Sequence, residues 1–119
     1  MGFDFMDSRP IWQQLSEQIR RRIVTGEYAP GSRLPSVRDL AAEAGVNPNT
    51  MQRAMAQLEG EGLLTTNRTA GRTVTEDEVV LRQLRQRLAR ERLEAYFRDM
   101  EQLGFDRGEA AALAKGEEE

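Results

Sequence analysis

Apolar residues recur at helical spacing in several separate stretches of this chain. Trp12, Leu15, Ile19 and Ile23 step by three, four and four residues, which draws one apolar stripe along a helix. Pro10 opens that helix and Gly26 ends it. Ala29-Pro30-Gly31-Ser32 then sets Pro before Gly in the order a type II turn requires. Val37, Leu40 and Ala41 share a face of a second helix. Its start is signalled by Ser36 and Asp39, where a hydroxyl caps a free N–H and a carboxylate sits in the first turn. Gly45 stops it, because glycine takes the left-handed C-terminal conformation cheaply. Val46 points to the core, Asn47 caps a third helix, and Pro48 fits a first turn that needs no N–H. Met51, Ala54, Met55 and Leu58 face inward from that helix. Two helices about a short, glycine-containing turn make a helix-turn-helix.

The pattern then changes. Leu63 and Leu64 lead into Thr65, Thr66, Asn67, Arg68, Thr69, Ala70, Gly71, Arg72, Thr73, Val74 and Thr75. The threonines and Val74 favour strand and Ala70-Gly71 supplies a turn, so a short hairpin is expected, with Arg68 and Arg72 near its tip. At Glu76 the composition shifts again. Thr75-Glu76-Asp77-Glu78 reads as the capped, acid-rich start of a long helix running to about Leu103. Leu81, Leu84 and Leu88 lie on one face. Leu93, Tyr96, Phe97, Met100 and Leu103 lie on another, rotated by roughly 120°. Gly104 ends this helix, Asp106 caps a short final one, and the closing run Glu117–Glu119 is expected to be unstructured. Phe3, Phe5 and Met6 are expected to add a short strand or a plug against the hairpin. The fold class is therefore mostly α with a small β-hairpin wing: a winged helix-turn-helix over residues 1–75, followed by a short C-terminal helical element over residues 76–119.

The outer side of the third helix carries the chemistry. Asn49, Gln52, Arg53 and Ala56 cluster opposite its apolar face. Amides pair with adenine, arginine pairs with guanine, and a methyl group meets a thymine methyl. A solvated face more usually carries Glu and Lys, and Glu59 and Glu61 stand only at the far end. An ordinary helical hairpin with a polar outside is the competing reading, and a solvated hairpin with incidental arginines competes for the segment after it. Arg20-Arg21-Arg22 spans several helix faces and reads as a solvated run rather than a phosphate site.

PIWQQLSEQIRRRIVTGEYAPGSRLPSVRDLAAEAGVNPNTMQRAMAQLEGEGLL resembles the winged-helix DNA-binding domain of GntR-type bacterial transcription regulators. The resemblance covers about residues 10 to 75. It is carried by Pro10-Ile11, Gly26-Glu27, Pro30-Gly31, the run from Leu34 to Ala41, and Gly45-Val46-Asn47-Pro48-Asn49-Thr50. The N-P-N-T start of the third helix and the short tail look most like the YtrA-like branch. The wing departs from the family's R-G-x-G-T: this chain has Arg68-Thr69-Ala70-Gly71-Arg72-Thr73 and keeps one glycine. The resemblance implies DNA contacts from Ser36, Arg38, Asn47, Pro48, Asn49, Thr50, Gln52, Arg53, Gly71 and Arg72. Arg38 stands where the family places a DNA-contacting arginine. The resemblance also implies a C-terminal region that dimerises and often senses a ligand, and a regulator of a kind that is often a repressor encoded beside a transporter operon.

Composition narrows the classes. The chain has 119 residues, with no cysteine and no histidine. Disulfide and thiol chemistry are absent, as are the usual general base and the commonest metal ligand. With no glycine-rich phosphate loop either, an enzyme, a cofactor and a metal site are not expected. No apolar run is long enough to span a bilayer and there is no signal-peptide core, so a cytoplasmic protein without a membrane partner is expected. The net charge of −3 is unevenly spread. Residues 1–75 carry nine basic and eight acidic side chains, residues 76–119 eight and twelve. Local clustering of basic groups, not the total, governs DNA binding, and 16 of the 17 basic residues are arginine. The tail is too short for an independent effector domain, and its exposed stripe marks an interaction surface. Leu93, Tyr96, Phe97, Met100 and Leu103 are expected to form a homodimer contact. The expected partners are a double-stranded DNA operator and a second copy, with a small-molecule effector left open. A winged helix used only for protein contacts is the alternative; it is expected to carry acids or large apolar groups where Asn49, Gln52 and Arg53 stand.

Overall fold

The computed structural model describes residues 2–117. Seven elements follow in order: α1 (Ile11–Val24), α2 (Val37–Ala44), α3 (Pro48–Gly60), β1 (Leu64–Asn67), β2 (Gly71–Val74), α4 (Glu78–Gln102) and α5 (Arg107–Ala114). The chain divides into two compact units, Met1–Arg82 and Gln83–Glu119.

In the first unit, α3 packs on α1, on α2 and on β1. Leu15, Ile19, Leu40, Met51, Ala54, Met55 and Leu58 are wholly buried there, and Leu63, Leu64 and Val74 close the core from the hairpin side. The helix ends follow their sequence signals. Ser36 Oγ accepts from the Asp39 amide, Gly45 adopts a left-handed φ of 70°, and Asn47 Oδ1 accepts from the Asn49 amide. β1 and β2 pair antiparallel with Thr66 opposite Arg72 and Asn67 opposite Gly71, so the turn is residues 68–70. Asn67 Oδ1 closes it by accepting from the Thr69 and Ala70 amides. A preceding extended segment adds to this hairpin: Arg33 bridges Thr73, while the Leu34 amide donates to the Arg72 carbonyl and the Val74 amide to the Ser32 carbonyl.

Two expectations are corrected in this unit. Residues 2–7 form neither a strand nor a plug against the wing. Their backbone is held along α1 by two glutamines: Gln18 bonds both the amide and the carbonyl of Asp4, and buried Gln14 accepts from the Met6 amide and donates to the Asp7 and Arg9 carbonyls. The Arg20–Arg22 run is not simply solvated either. Arg20 forks onto Glu61. Arg22 is buried over the rings of Phe3 and Tyr28 and pairs with Glu43 and Glu27. Only Arg21 of the three is exposed.

In the second unit, α5 folds back on the C-terminal half of α4. Asp106 and Glu109 form a reciprocal capping box at the start of α5. The Tyr96 hydroxyl donates to the Ala110 carbonyl at 2.7 Å, and Arg107 stacks on Phe97 while pairing with Glu94. Tyr96, Phe97 and Met100 are thereby half-buried, whereas Leu93 and Leu103 remain 47% and 72% exposed. Of the first apolar stripe of α4, Leu84 is buried and Leu81 and Leu88 are half-buried. Glu117 follows the helix without regular structure; the same expectation for Glu118 and Glu119 lies outside the described residues.

Gln14 ties the N-terminal segment to α1 through a side chain that is only 3% exposed. Gln14→Leu should strip three hydrogen bonds from that segment and lower stability by about 1–3 kcal/mol. Amide hydrogen exchange checks this: exchange at Met6 should accelerate strongly while exchange in α3 keeps its pattern.

Candidate nucleic-acid interface

The arginines of the first unit divide by what their guanidinium groups touch. Arg9 is bound by Asp7 and Glu17, Arg20 by Glu61, Arg22 by Glu43 and Glu27, and Arg72 by Glu59. These groups are spent on structure. Among the described residues, the guanidinium groups of Arg33, Arg38 and Arg68 make no ion pair or hydrogen bond, and that of Arg53 touches only an aromatic ring. All four are exposed. Those four stand beside the hairpin, in the first turn of α2, at the hairpin turn and on the outside of α3; Arg21 on α1 and Arg82 on α4 are likewise exposed and without an acidic partner among the described residues, but stand on other elements. A free guanidinium keeps five donors for a phosphate or base edge.

The sequence-singled residues fall into three settings. On α3, Asn49, Gln52 and Arg53 are exposed, opposite the buried face made by Met51, Ala54, Met55 and Leu58. At the two helix starts, Ser36, Arg38, Asn47 and Pro48 are exposed and Thr50 is half-buried. The Ser36 hydroxyl and the Asn47 carboxamide oxygen accept from their own helices. The Ser36 O–H and the Asn47 NH₂ therefore stay available as donors beside the positive ends of α2 and α3, where anions are favoured. In the wing, Gly71 has φ of 75°, a left-handed conformation in which a side chain would be strained, although a Cβ there would make only ordinary contact with Arg33.

Arg72 differs from its expected setting. It does not reach the wing tip: it faces Thr66 across the hairpin, and its Nε bonds Glu59 near the end of α3. Burial disfavours the Glu59 carboxylate, but the hydrogen bonds from Arg72 and Thr66 outweigh it and hold its pKa below the ordinary carboxylate value. The tip arginine is Arg68. Arg33 was missed by the sequence reading, because nothing local to Gly-Ser-Arg-Leu-Pro announces that this segment pairs with a strand forty residues on.

Known proteins share this fold. The family described as "Bacterial regulatory proteins, gntR family" matches residues 12–74. The HTH-type transcriptional regulator YhcF of Bacillus subtilis is 38% identical over 109 residues, covering 92% of this chain and 90% of that protein. The HTH-type transcriptional repressor YtrA of the same organism is 39% identical over 74 residues, 62% of this chain and 57% of its own length. A GntR family transcriptional regulator from Listeria monocytogenes superposes with a TM-score of 0.84 at 39% identity, covering 96% of this chain and all of that one. These proteins are regulators of transcription, not enzymes. No helix among the described residues is long and apolar enough to cross a membrane.

The Glu59–Arg72 pair makes two predictions. The Glu59 pKa is lowered in the folded state, so its contribution is present above the unfolded value and is lost as pH falls through the folded one. Glu59→Gln should flatten that part of the acid limb in thermal melts recorded from neutral pH to pH ~3. The same substitution releases Arg72 and removes a negative charge. Affinity for random duplex DNA should rise, and the slope of log K against log salt should steepen by about one ion.

Proposed function

The chain belongs to the gntR family of bacterial regulatory proteins, and from that membership we propose that it is a sequence-specific DNA-binding transcription regulator. In this reading it is a repressor, acts in the cytoplasm, and binds a palindromic operator as a homodimer. The observation that carries the proposal is the division of the arginines. Arg9, Arg20, Arg22 and Arg72 have acidic partners, while Arg33, Arg38, Arg53 and Arg68 are held without one on α2, α3, the hairpin and the segment beside it. Gln52 and Arg53 read base edges, and Asn49 lies within their reach at the start of α3. Ser36, Arg38, Asn47 and Thr50 hold phosphates near the helix starts, with Pro48 shaping the turn. Gly71 lets the wing approach the backbone, and Arg72 braces the wing from α3. The repressor assignment draws on the similarity to YtrA, a transcriptional repressor.

The remaining division of labour follows. Residues 1–75 are the DNA-binding domain and residues 76–119 the dimerisation region. Leu93 and Leu103 leave apolar surface that α5 does not cover, and Tyr96, Phe97 and Met100 lie beside them on α4. A two-fold contact there gives two half-site readers and hence an imperfect palindrome. A small-molecule effector, where one acts, binds between subunits.

The test begins with selection of duplexes by the full chain from a randomised pool. Gln52→Ala and Arg53→Ala should each cost about 1–3 kcal/mol at particular base pairs. Ser36→Ala and Thr50→Ala should weaken selected and random DNA alike. Equal losses on both duplexes for Gln52→Ala and Arg53→Ala would show that the base readers lie elsewhere. Sedimentation of the Leu93→Asp, Phe97→Asp double variant at micromolar concentration should give monomers with weak DNA binding. An unchanged dimer would move the subunit contact off this face.

A further inference from the structure

Arg53 is the one candidate base reader whose guanidinium is already held. It lies over the Trp12 ring, 4.3 Å from its centroid. The contact differs in kind from those of Arg20 and Arg72, whose N–H groups are spent on Glu61 and Glu59. A ring takes the flat π face of a guanidinium and leaves the donors in its plane free. A contact over the ring therefore restrains the guanidinium without using any of the groups that would pair with a guanine edge.

Trp12 is itself held. It starts the stripe on α1, followed by Leu15 and Ile19, both fully buried against the core. Ser16, one turn on, approaches the Ala54 carbonyl with its hydroxyl at 3.5 Å, next to Arg53 in the chain. The ring is half-buried, with the Arg53 guanidinium lying over it. The two helices thus lock the indole at a set height relative to the α3 backbone. An arginine side chain otherwise loses considerable rotamer freedom when it is immobilised on a base.

We propose that Trp12 is a positioning residue for base recognition: it stacks Arg53 in advance, so that a planar donor fork is presented to the DNA instead of a mobile side chain. The proposal rests on the DNA-binding reading above. Trp12 needs no contact with DNA for this role, and it acts on discrimination rather than on general affinity.

The experiment uses the full-length protein, the duplex that wild type enriches from a randomised pool, and an unrelated random duplex. Trp12→Met keeps an apolar filler without a π face; Trp12→Tyr and Trp12→Phe keep a ring. The ratio of selected to random affinity should fall about two- to fivefold in Trp12→Met. It should fall less in Trp12→Tyr and Trp12→Phe, and Trp12→Met should cause no further loss in an Arg53→Ala background. An unchanged ratio, an equal loss on both duplexes, or an undiminished effect in the Arg53→Ala background overturns the positioning role. Should Trp12→Met fail to fold, the ring variants decide, and Trp12→Phe retaining full wild-type discrimination together with Trp12→Tyr losing it overturns the role, because the ring series would run backwards. A wild-type protein that enriches no duplex and shows no salt-dependent DNA binding overturns the DNA reading itself, which is a separate outcome.

Discussion

Burial of the inner face of α3 is the constraint on which the rest depends. Met51, Ala54, Met55 and Leu58 are completely removed from solvent between α1, α2 and β1. Met51, Met55 and Leu58 each contribute about 1.5–3 kcal/mol by burial and Ala54 less, enough together to fix the rotation of the helix about its axis. Once that rotation is fixed, Asn49, Gln52, Arg53 and Ala56 must face outward, since they occupy the opposite arc of the same helix. The polar outer face is thus a consequence of core packing. No separate force is needed to present it.

The acidic residues of the first unit complete the arrangement. Glu61 takes up Arg20, Glu43 takes up Arg22, and Glu59 takes up Arg72. A unit with nearly balanced charge can therefore still offer a basic surface, because its carboxylates are matched to the arginines that serve the fold. These pairs are part-buried, and besides holding the fold they decide which guanidinium groups remain available. Family membership and the superposition on the Listeria protein place this same framework among regulators of transcription.

Features set by neighbours in the chain were legible in the sequence. Ser36, Gly45, Asn47 and Asp106 signalled helix ends through local hydrogen bonds and local backbone conformation, and each sits where that chemistry required. The shift in the apolar stripe of α4 was also readable, since it is a matter of spacing. What could not be read depends on distant partners. Arg20 meets Glu61 across forty-one positions, and Arg33 pairs with Thr73 across forty. Neither has a local signature, so a run of arginines looked solvated and a wing-root arginine went unnoticed. The glutamine clamps on residues 2–7 were hidden for the same reason, because Gln14 and Gln18 satisfy backbone groups five to fourteen residues away and left the phenylalanines looking like strand.

The division between spent and available arginines is the central claim, and side-chain NMR reads it directly. Arginine Nε–Hε resonances of the full chain would be followed during titration with a duplex that it selects. Arg33, Arg38, Arg53 and Arg68 should shift or broaden, while Arg20 and Arg22 keep their positions. Shifts of Arg20 and Arg22 equal to those of the other four, or no shift of the four on saturating DNA, would contradict the account.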